Sequence, residues 1–120
     1  MMSSTWDAWT YRTSAARTPQ SADIVGYEVH ATDGHIGKVD RASYDVGASR
    51  IVVDTGPWIF GRKVLLPAGT IDRVDDSDGK VYVDLTKDQI KDSPELDETT
   101  GWDDRDYQDR VGSYYGGFYR

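Results

Sequence analysis

Tyr27-Glu28-Val29-His30-Ala31-Thr32-Asp33-Gly34-His35-Ile36-Gly37-Lys38-Val39 is the stretch whose reading decides the fold. Tyr27, Val29 and Ala31 alternate with Glu28 and His30, the two-residue period of a strand with one buried face. Asp33-Gly34 then supplies the positive φ angles of a tight hairpin. A second strand runs from about His35 to Tyr44, with Ile36 and Val39 on opposite parities and Gly37 between them. A bulge at Gly37 brings both apolar side chains inside.

Working outward, Ile51-Val52-Val53 and Val64-Leu65-Leu66 are short apolar runs bounded by Gly or Pro, and both read as central strands. Thr70 to Asp75 follows Ala68-Gly69, and the turn Asp76-Ser77-Asp78-Gly79 leads into Lys80 to Leu85, where Val81, Val83 and Leu85 alternate with polar neighbours. Thr86-Lys87-Asp88-Gln89 has the form of a capping box, which predicts one helical turn stopped near Pro94. About six short strands and a single helical turn predict an all-β domain, a small closed or partly closed barrel, because closure removes edges that so short a sheet cannot otherwise protect.

With 120 residues the chain has room for one core. Composition divides it into an N-terminal arm (1–22), a folded domain (23–96) and a tail (97–120) that is acidic and then rich in Tyr and Gly, both ends being expected to be flexible. Those ends nevertheless carry Trp6, Trp9 and Tyr11, and Trp102, Tyr107, Tyr114, Tyr115, Phe118 and Tyr119. Such aromatics fold back on the barrel, pair between subunits or serve as recognition elements; loose solvated ends are the alternative.

The net charge of −7 makes the average surface repel phosphate backbones and anionic headgroups, so nucleic acid is not the expected partner. No cysteine is present, which excludes disulfides and thiolate chemistry and fits a cytoplasmic location. No apolar run reaches the roughly 18–20 residues needed to span a bilayer, so no transmembrane segment is expected.

Ile24-Val25-Gly26-Tyr27-Glu28-Val29 followed by Asp33-Gly34-His35-Ile36-Gly37-Lys38-Val39 resembles the opening of the PRC-barrel family, named for the cytoplasmic domain of the photosynthetic reaction centre H subunit. The resemblance continues through the run from Val53 to Gly69, with Gly56-Pro57-Trp58 at its middle, and through the run from Val81 to Ile90. It implies a six-stranded barrel of a small single-domain bacterial member. It also implies a non-catalytic role, since related barrels dock onto partner proteins in the reaction centre or on the maturing small ribosomal subunit.

Trp58, Ile59 and Phe60 are three consecutive large apolar residues, and side chains in an extended segment point to alternate sides, so all three can hardly be buried. With Arg62 and Lys63 beside them they form the expected partner-binding site, since aromatics and Arg anchor protein interfaces. The competing reading has Trp58 and Phe60 plugging one end of the barrel. His30 and His35 flank the first turn as a pH-sensitive pair or half a metal site, a weak one without a fixed third ligand. Asp76 to Gly79 lacks the first and last carboxylates of a calcium loop, no phosphate cradle ends in Gly-Lys-Ser/Thr, and no Gly-x-Ser-x-Gly elbow marks a nucleophile. No catalytic, metal or cofactor site is therefore assigned. The expected function is a protein-interaction adaptor, with a homodimer as one form. The alternatives are an RNA- or ribosome-associated factor, prompted by Arg62, Lys63 and Arg73, and a stress- or sporulation-linked protein at the inner face of the membrane.

Overall fold

The computed structural model of the chain describes residues 8–9, 23–43, 49–56, 62–94, 96 and 104–118. Six strands form one sheet in the order β4-β3-β2-β1-β6-β5. They are β1 (Glu28–Ala31), β2 (Gly34–Ser43), β3 (Arg50–Asp54), β4 (Lys63–Pro67), β5 (Ile71–Asp75) and β6 (Lys80–Val83), followed by the helices α1 (Lys87–Lys91) and α2 (Arg105–Gly116). The first four strands are an antiparallel meander, β5 and β6 are a hairpin, and the parallel pairing of β1 with β6 joins the two sets.

The all-β class holds, but the ladder does not close. β4 and β5 stand at opposite edges of the sheet. Pro67, with no N–H to offer, ends β4, and a buried 3₁₀ turn (Ala68–Thr70) carries the chain directly into β5. The expectation that Val64-Leu65-Leu66 is central is also corrected, since β4 is an edge strand buried on both faces. Val64 and Leu66 face the interior of the sheet. Leu65, on the other parity, is equally buried, and α2 packs against this strand.

That helix corrects the expectation of a loose tail. Tyr107, Val111 and Tyr115 recur every four residues, lie on one helical face and are buried in the same core as the strands. Asp104 caps the first turn by accepting from the Asp106 N–H at 3.1 Å. The Tyr107 hydroxyl donates to the Pro94 carbonyl at 2.8 Å and the Tyr114 hydroxyl to the Gln89 carbonyl, tying α2 to the segment around α1. Of the expected N-terminal arm, Ala8 and Trp9 are described. Their carbonyls accept from Gly69 at 2.8 Å and Ser49 at 3.1 Å, and the Trp9 ring lies over Gly112.

The bulge in β2 is present: Val29 stands opposite Gly37 while His30 stands opposite His35, and both Ile36 and Val39 are buried. The first turn falls one residue earlier than expected. Thr32 and Asp33 make the loop, and Gly34, at φ 144°, opens β2. The capping box forms as read, with the Gln89 N–H donating to Thr86 Oγ1 at 3.2 Å and the Thr86 N–H to Gln89 Oε1 at 2.8 Å.

Candidate functional site

Trp58, Ile59 and Phe60 lie outside the described residues, but the base of the hairpin that carries them does not. β3 and β4 pair in register up to Asp54 opposite Lys63. Beyond that pair, the Thr55 hydroxyl donates to the Arg62 carbonyl at 2.5 Å and the Thr55 N–H reaches the same oxygen at 3.4 Å. Gly56 takes a left-handed φ of 55°, and its N–H donates to Asp54 Oδ1 at 2.9 Å.

The structure sets Arg62 and Lys63 to work within the fold. Arg62 Nη1 donates to the Lys91 carbonyl at 2.8 Å and Nη2 to the Ser93 carbonyl at 2.7 Å, so one guanidinium satisfies two oxygens at the end of α1. Its Nε is buried without a hydrogen-bond partner. Lys63 Nζ meets Asp40 Oδ2 at 3.4 Å. The Tyr115 hydroxyl is buried in the same region. Ser93 is close to it, but its Oγ donates to the Ile90 carbonyl and no contact to Tyr115 has hydrogen-bonding geometry. Burial pushes the Tyr115 phenol well up, outweighing Ser93 and Arg62, which favour the ionised form. Burial, with a smaller contribution from Asp92, also raises Tyr114.

The outer face of the sheet carries a second group of side chains. His35 on β2, His30 on β1, Tyr82 on β6 and Arg73 on β5 are neighbours in register and make one row across four strands. His30 and His35 meet edge to face at 5.2 Å between centroids, His30 stacks on Tyr82 at 5.6 Å, and the Arg73 guanidinium lies 3.9 Å from the Tyr82 ring centre. Glu28 Oε1 lies 3.2 Å from His30 Nε2 and 4.0 Å from His35 Nε2.

A parallel row of charges runs beside it. Lys63, Asp54, Lys38, Glu28, Lys80 and Asp75 face one another in register from β4 to β5, alternating in sign across the whole sheet. Strand alternation alone shows that Glu28 and Tyr82 point outward, whereas Arg73 reaches that face through the irregularity in β5 between Ile71 and Arg73. Their grouping with the histidines needs the parallel β1–β6 pairing, which no local sequence signal announces.

Six short strands wrapped about one apolar core, with a helix over an edge strand, define a small all-β domain with one added helix. The family model for the PRC-barrel domain matches residues 20–90, and the chain belongs to that family. An uncharacterized protein of Deinococcus radiodurans is 41% identical over 75 residues, covering 59% of this chain and 27% of that relative, so the match takes in well under half of the relative's length. A crystal structure from Pseudomonas aeruginosa of RimM, a protein named for 16S ribosomal RNA processing, is 23% identical. It covers 54% of this chain and 42% of that one, with a TM-score of 0.46. Among the described residues no helix is long and apolar enough to cross a membrane.

Proposed function

We propose that this chain is a non-catalytic protein-binding module whose β3–β4 hairpin carries the docking residues Trp58, Ile59 and Phe60. The observation that carries this reading is the locked base. Thr55, Asp54 and Gly56 on one side and Arg62 on the other are fixed by hydrogen bonds, and Arg62 is in turn anchored on α1. A rigid base lowers the ordering entropy that an apolar loop must surrender on docking, which is how preorganised loops gain affinity. Arg62 and Lys63 stand beside these residues as part of the proposed site, and Arg62 also holds its base. A second copy of the chain is one candidate partner. The cytoplasm is the proposed location, where a chain without cysteine forgoes no disulfide.

The test places a photoreactive benzoylphenylalanine at Ile59 in cells of the source organism. A discrete protein adduct is expected, and it should vanish when Trp58→Ala and Phe60→Ala are added. Absence of any adduct, or an adduct unchanged in the double variant, contradicts the proposal.

RNA binding is the second reading, favoured by the row of Arg73, Tyr82 and His30, since aromatic rings with Arg are what single-stranded RNA stacks on. The alternating charge row beside it has no net attraction for phosphate. Labelled RNA titrated at two salt concentrations decides this reading, because binding to phosphates must weaken as salt rises.

A further inference from the structure

We infer that Glu28, His30 and His35 form a surface site for a divalent transition ion, of which zinc is the natural probe. Glu28 and His30 are two residues apart on β1 and so share a face, and His35 stands directly opposite His30 on β2. This arrangement brings two imidazoles and a carboxylate together on one hairpin. Imidazole and carboxylate are both ligands zinc accepts.

One donor separation already matches that around a bound ion, held there by a hydrogen bond that the ion would replace. Two donors on a tetrahedral zinc ion, each at about 2.0–2.1 Å, stand roughly 3.3 Å apart. Glu28 Oε1 and His30 Nε2 are already at that spacing, 3.2 Å. The separation from Glu28 Oε1 to His35 Nε2 is wider, 4.0 Å, but both side chains are about half exposed, at 46% and 50%, so solvent and not packed core borders the path by which His35 would close the gap. Among the described residues no three ligand-type side chains stand ready to hold an ion. The ion must therefore draw His35 in.

Two neighbours set the character of the site. Tyr82 stacks on the less exposed His30 ring and holds its orientation. Lys38 and Lys80 stand on either side of Glu28 in the register and compete with the ion for its carboxylate, which argues for moderate and not tight affinity. Three protein donors at an open surface leave a coordination position for water or for a donor from another molecule.

The inference involves β1 and β2 and none of the docking hairpin, so it stands or falls separately. The experiment titrates the full chain, stripped of metal, with zinc chloride by calorimetry, and follows the imidazole nitrogens of His30 and His35 by NMR. One saturable site is expected, with both imidazoles shifting, and His35→Gln and Glu28→Gln should each weaken binding about tenfold or more. Circular dichroism checks that both variants, altered at half-exposed positions, remain folded. No saturable heat, or unmoved imidazole signals in the unaltered protein, overturns the inference. So does wild-type affinity in either variant.

Discussion

Gly37 leaves no room for any side chain, because a Cβ built there falls onto the backbone carbonyl of Asp54 in the next strand. Gly37→Ala must push β2 and β3 apart or break the bulge. The expected loss is about 2–3 kcal/mol in urea unfolding. Arg62 is the second residue on which much depends, since its fork binds two carbonyls at once. Arg62→Ala should cost about 2 kcal/mol, and Arg62→Lys should not restore it, because an ammonium cannot span both oxygens in the same geometry. Tyr115 offers the opposite case. Its buried hydroxyl has no hydrogen-bond partner, so Tyr115→Phe should leave stability unchanged or raise it by about 1 kcal/mol. Its phenol has a folded-state pKa above the ordinary value of 10.0. The unfolded chain therefore releases this proton first, and the stability the neutral phenol contributes is complete below pH 10 and drains away as pH rises beyond it. Unfolding curves at pH 8 and pH 11 should show a larger alkaline loss for the unaltered protein than for Tyr115→Phe.

At the scale of elements, the alternating row from Lys63 to Asp75 helps hold the strands in register. Lys80→Glu would set three carboxylates side by side on β1, β6 and β5, at an expected cost of about 0.5–1 kcal/mol that shrinks in high salt. Thermal melts at low and high ionic strength check this. Where most of the strands lie along the chain was legible in the sequence. The alternation in Val81, Val83 and Leu85, the parity break at Gly37 and the Thr86–Gln89 box are local signals, and each formed its element. The helix α2 was not read, although Tyr107, Val111 and Tyr115 are spaced for one. Tyr, Gly, Ser and Asp are weak helix formers, and only docking on β4 makes the helix worthwhile. The edge position of β4 escaped for the same reason. A run buried on both faces looks central whether its second cover is a strand or a helix.

For the whole molecule, one apolar core unites an open sheet, a capped α1 and a returning α2. The row of His35, His30, Tyr82 and Arg73 was illegible from the sequence because the chain returns β6 beside β1 only after four intervening strands and a turn. The proposed docking role of Trp58 and Phe60 requires that neither side chain belong to that core. Urea unfolding of the Trp58→Ala/Phe60→Ala double variant measures this directly. If both side chains face a partner, stability stays within about 0.5 kcal/mol of the unaltered protein, as for other surface substitutions. A loss of about 3 kcal/mol or more, the range for emptying a buried aromatic position, would place them in the core and contradict the docking role.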